Sequence, residues 1–118
     1  MLYELLDGTT GELDDIIITN SKVIQNLIKN YDNINTIPIT SSSFTQDTVK
    51  NAEMLIRYII INNYSFEIDK LLMNNKECVN LLNLADFLDI EIIRVYLIDH
   101  LANYIRNNGL IEELFNMF

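Results

Sequence analysis

The stretch LADFLDIEIIRVYLIDHLANYI, Leu84 to Ile105, decides how this chain is read. Its apolar residues recur at helical spacing on both sides of Asp89. The spacing predicts one helix from Lys76 to Leu88 and a second from Ile90 to Asn107, with Asp89 between them as a cap. In the first, Cys78, Leu81, Leu82, Ala85 and Leu88 make a single stripe suited to a core. Leu84 and Phe87 fall on another side, shared with Asn80 and Asn83. A large aromatic among polar neighbours is a candidate contact residue. Packing of Phe87 on a neighbouring helix of the same domain is the equal alternative.

The second helix carries two apolar stripes. Ile93, Leu97, Leu101 and Tyr104 form one, and Val95, Ile98, Ala102 and Ile105 form the other. Together they cover more than half the helix circumference, so this helix is either central to the core or shared between core and partner. Downstream, Gly109 stands where a C-cap is expected. A last helix is predicted from Leu110 to Phe118, with Ile111, Leu114, Phe115, Met117 and Phe118 crowded into it. That density suggests a hydrophobic groove for another protein, with tight domain packing as the alternative.

Upstream, the pattern changes. Leu2–Leu6 and Leu13–Ile18 read as two strands of a hairpin turned by Asp7-Gly8-Thr9-Thr10-Gly11. Thr19-Asn20-Ser21 offers N-cap residues for a short amphipathic helix ending near Asn30, with Val23, Ile24, Leu27 and Ile28 at helical spacing. Thr36–Ile39 reads as a short strand that Pro38 confines to a sheet edge or a strand end. A helical segment ending near Val49 follows Phe44, then a longer helix from Asn51 to Asn62 whose inward side holds Met54, Leu55, Tyr58, Ile59 and Ile61. Phe66–Met73 is a further short helix. Strands first and helices after predict an α+β fold in one domain, residues 1–118.

Composition narrows the function classes. The net charge is −9, from 8 basic and 17 acidic residues, and Arg57, Arg94 and Arg106 are far apart. Nucleic acid needs clustered cations, and anionic membranes repel such a chain, so neither is an expected partner. An acidic surface fits a protein partner. Cys78 is the single cysteine, which points to a reducing compartment, cytoplasm or nucleus. The opening MLYELLDG lacks the features of a signal peptide, and no apolar run approaches the ~20 residues of a membrane helix.

Catalytic chemistry has little to build on. His100 is the single histidine and falls beside Asn103 and Tyr96, the setting of a solvated side chain; Cys78 falls on the core stripe. Asp14-Asp15, read on a strand, point to opposite faces. Glu112-Glu113 suit the first turn of a helix. DGTTGELDD has neither the ligand spacing of a calcium loop nor the Lys-Ser/Thr of a phosphate loop. The expectation is a protein that is not an enzyme and uses no metal or cofactor.

Order and residues together resemble a known family. Ala85, Leu88-Asp89-Ile90, Leu101-Ala102-Asn103 and Ile105 match the helical core of the Skp and elongin C adaptors of cullin ubiquitin ligases. LIEELFNMF resembles the helix that follows, LLDGTTGELDD the opening hairpin, and SKVIQNLIKNY the first helix. NTIPITSSSFTQDTVKNAEMLIRYI resembles the strand-and-helix stretch between them, so the likeness runs in order along nearly the whole chain. The resemblance implies the POZ/BTB fold, a small three-stranded sheet packed against helices. It implies a two-sided adaptor, a monomer within a hetero-complex. One side would meet a cullin-like scaffold through Leu84, Asp86 and Phe87, Asp86 standing where the family has Asn. The other would hold an F-box or similar helical box through Tyr104, Ile105, Ile111, Leu114, Phe115 and Phe118. A POZ-type homo-oligomer with no ubiquitin role is the alternative.

Overall fold

A computed structural model describes residues 1–41, 44–61 and 75–108. Three strands form one mixed sheet in the order β2-β1-β3. Strand β1 (Leu2–Leu5) pairs antiparallel with β2 (Thr10–Glu12) and parallel with β3 (Thr36–Ile39). The hairpin turns at Asp7-Gly8. Gly8 sits at φ 88° and donates its amide to the Leu5 carbonyl at 3.0 Å, while Thr9 donates to Asp7 Oδ1 at 2.9 Å. Across the hairpin Gly11 faces Tyr3, whose ring lies where a side chain at Gly11 would go. Pro38 is exposed on the edge strand β3. Leu2 N–H bonds the Asn35 carbonyl. By parallel alternation, position 38 points its backbone away from β1 and loses no ladder bond.

The second run of the predicted hairpin is a correction. Its β-branched Ile16-Ile17-Ile18 reads as strand, but Asp15–Asn20 is a helix, α1. Asp14 caps it, its Oδ1 accepting from Ile16 N–H at 2.9 Å. The real second strand is the polar, short Thr10–Glu12, which has no apolar alternation to reveal it. Ser21 ends α1 and caps the next helix, α2 (Lys22–Asn30), so the two helices meet at a one-residue elbow.

Helix α3 (Gln46–Ile61) is continuous where two segments were expected. Thr45 and Thr48 exchange backbone-to-hydroxyl bonds, each at 3.3 Å, which starts the helix as a reciprocal cap. Its buried side is Val49, Ala52, Leu55, Ile56 and Ile59; Met54, Tyr58 and Ile61, expected inward, are exposed. Helices α4 (Asn75–Leu88) and α5 (Glu91–Asn108) follow as predicted to within a residue. The predicted helices Phe66–Met73 and Leu110–Phe118 lie outside the described residues.

The architecture is α+β, with the buried face of the sheet and all five helices among the described residues contributing to one core cluster. Tyr3, Leu5, Ile37 and Ile39 come from the strands; Ile17, Ile24, Leu55, Ile56, Leu81, Leu88, Ile93 and Leu97 come from the helices. At about 1.5–3 kcal/mol per fully buried large aliphatic side chain, this cluster is the main stabilising term.

Candidate functional site

The α4–α5 junction links the helix that carries Asp86 and Phe87 to the helix that carries Val95 and Ile98. Asp89 adopts φ 52°, the left-handed conformation that ends α4, and Ile90 N–H bonds the Ala85 carbonyl at 2.8 Å across it. Ile90 is fully buried behind that turn, and Arg94 pairs with Asp89 at 2.7 Å. Leu88-Asp89-Ile90 is therefore a chain-reversal element: apolar, left-handed, apolar. The α1–α2 elbow docks on it. Ser21 Oγ donates to the Leu88 carbonyl at 2.5 Å and accepts from Ile24 N–H at 3.1 Å, while Lys22 N–H bonds the Asp89 carbonyl at 3.1 Å.

On α4, Asp86 and Phe87 are exposed, Phe87 at 40%. Its ring meets Phe44 edge-on, with centroids 5.9 Å apart and planes at 70°. Phe87 therefore rests one edge on its own domain, on the segment before α3 and not on a helix, and leaves the rest of its ring exposed. Leu84 is different. Expected beside Phe87 on the contact side, it is 0% exposed and belongs to the core. Helix α4 packs against α2, α3 and α5, so its buried arc is wider than one stripe and includes Val79 and Leu84.

The described side chains of α5 separate its two stripes in part, with Ala102 half-buried. Ile93, Leu97 and Leu101 are buried, whereas Val95 and Ile98 stand 58% and 56% exposed. Val95, Tyr96, Ile98, Asp99 and Ala102 line a groove of about 450 Å³. Val95 also borders a second depression of about 470 Å³, shared with Ile92 and Glu91 of α5 and with Thr19, Asn20 and Lys22 at the elbow. Reading α1 as strand hides this continuation, because only the elbow brings Thr19 and Asn20 beside α5. Tyr104 and Ile105 lie on the backbone of α5, but their side chains are outside the described set. Ile111, Leu114, Phe115 and Phe118 are outside the described residues altogether.

The titratable groups fall into structural roles. Asp14 is held below the usual carboxylate range by the Ile16 amide and, against a desolvation cost, by Arg57, whose Nη2 donates to Oδ2 at 2.6 Å. Glu53 on α3 is pushed up by desolvation and by the Asp14 charge, although it accepts the Asp14 amide at 3.4 Å. These groups tie α1 to α3. Cys78 is buried and His100 is half-buried, each with an interaction of its own. Among the described residues no three His, Cys, Asp or Glu side chains are grouped to hold a metal, and no helix is long and apolar enough to cross a membrane. No protein-family model matches the chain, and no curated protein matches it.

Proposed function

We propose that this chain is a non-catalytic adaptor of the POZ/BTB, Skp-like kind, joining a cullin-like scaffold to an F-box-like receptor of a ubiquitin ligase in the cytoplasm or nucleus. The observation that carries the reading is α5. A helix buried along Ile93, Leu97 and Leu101 yet apolar and open along Val95 and Ile98 has one face for the core and one for a partner. The half-exposed Phe87, next to Asp86, supplies a second anchor on α4 for the scaffold. The receptor would meet Tyr104, Ile105, Ile111, Leu114, Phe115 and Phe118. Leu84 drops out of the scaffold surface because it is buried.

Binding assays with a purified cullin N-terminal region and a purified F-box protein test the proposal. Phe87→Ala weakens the scaffold and Phe115→Ala the receptor, each by ~2 kcal/mol or more if these residues are true anchors. Full retention of both interactions in both variants sinks the two-sided assignment. A stable homo-tetramer by light scattering, with no binding to either protein, favours the homo-oligomeric alternative.

A further inference from the structure

We propose that the groove on the outer side of α5, continued onto the α1–α2 elbow, takes an amphipathic helix whose apolar stripe is flanked by Lys or Arg. The inference rests on the adaptor reading and adds the chemistry of the segment the adaptor receives. The floor is apolar: Ile92, Val95, Ile98 and Ala102 follow one another along α5. Ile92 to Ala102 spans about 15 Å of helix axis, enough for about three turns of a partner helix.

The rim is acidic in balance. Arg57 is committed to Asp14 at 2.6 Å and Arg94 to Asp89 at 2.7 Å, while Lys22 lies 3.7 Å from Glu91. Asp99, beside Ile98 on the flank of the floor, and Asp15, in the adjoining hollow beside Thr19 and Asn20, are exposed acids with no ion pair among the described residues. With Lys22 already beside Glu91 at the elbow end, the unpaired charge left along the floor and in its adjoining hollow is acidic, which favours an occupant with the opposite sign on its flanks and disfavours an acidic one.

The probes are three synthetic helical peptides with one apolar stripe and Lys, Gln or Glu flanks, titrated into the full chain by fluorescence anisotropy. The Lys-flanked peptide binds roughly tenfold tighter than the Glu-flanked one at low salt, and the preference collapses in high salt. Asp99→Lys reduces that preference, by roughly threefold to fivefold. Val95→Asp abolishes binding of the Lys-flanked peptide while leaving Phe87-dependent cullin binding intact. Equal binding of all three peptides, or binding of none, overturns the inference. So does a dimer in sedimentation that Val95→Asp dissociates, because the occupant is then a second copy. Loss of the cullin interaction alone removes the adaptor reading; selective binding of the Lys-flanked peptide still stands as a result about the groove.

Discussion

Replacing Ser21 by Ala tests how the fold is held together at a single oxygen. Ser21 Oγ is fully buried and does two things at once: it caps α2 through the Ile24 amide and satisfies the Leu88 carbonyl in the last turn of α4. Losing an N-cap costs about 1 kcal/mol. Stranding a buried carbonyl costs about 1–3 kcal/mol more. The sum, about 2–4 kcal/mol, is a large share of the ~5–15 kcal/mol that holds a domain folded. At about 4 °C per kcal/mol for a chain of this size, the midpoint falls by roughly 8–16 °C. Urea denaturation read by circular dichroism checks it, with an unchanged m-value expected. Asn20→Ala, which removes only the half-buried amide bond to the Ile16 carbonyl, serves as the control at about 1 kcal/mol or less. A loss below ~1 kcal/mol for Ser21→Ala at constant m would refute the reasoning, since it would mean that the Leu88 carbonyl finds another partner at no cost.

Three further outcomes are expected. Glu53→Gln stabilises the protein at neutral pH. The raised folded-state pKa means that the protonated carboxyl favours folding, an effect present below the ordinary value of 4.5 and lost as pH rises through the folded value, so the gain over wild type fades in acid denaturation below that window. Gly11→Ala destabilises by about 1–3 kcal/mol in thermal melts, because its Cβ would lie 2.5 Å from Cζ and Oη of the buried Tyr3 ring. Asp89→Gly leaves stability within ~1 kcal/mol of wild type, relief at φ 52° offsetting the lost Arg94 pair, whereas Asp89→Val costs about 2 kcal/mol or more; equal effects would refute the turn argument.

What was legible in the sequence had a local cause. Thr19-Asn20-Ser21 announces α2 because a short polar side chain before an amphipathic run caps the helix itself, and of the three Ser21 is the cap. Pro38 restricts its strand to a sheet edge or a strand end because it lacks a ladder donor, and the strand is an edge strand. Asp89 separates α4 from α5 because a short polar residue accepts the left-handed turn. What was not legible depends on the tertiary setting. Ile16-Ile17-Ile18 has strand propensity, overridden by the Asp14 cap and by burial of Ile17 in the core. Leu84 looks like a surface residue on a single-stripe wheel, but a helix packed on several sides hides more than one stripe. The outer stripe of α5 was visible as surplus apolar spacing, but its continuation to Thr19 and Asn20 depends on an elbow that periodicity does not predict.

The bond from Ser21 to Leu88 spans 67 positions, and the central strand waits for a neighbour at Thr36–Ile39. A chain emerging from the ribosome can close the β1–β2 hairpin early, but its elbow finds no acceptor until α4 has been made. The front half is therefore not a self-sufficient folding unit. Fragments split after Ile61 should remain open when separate and acquire native ellipticity only when mixed, so that complementation between the two pieces reports directly on the seam between elbow and turn.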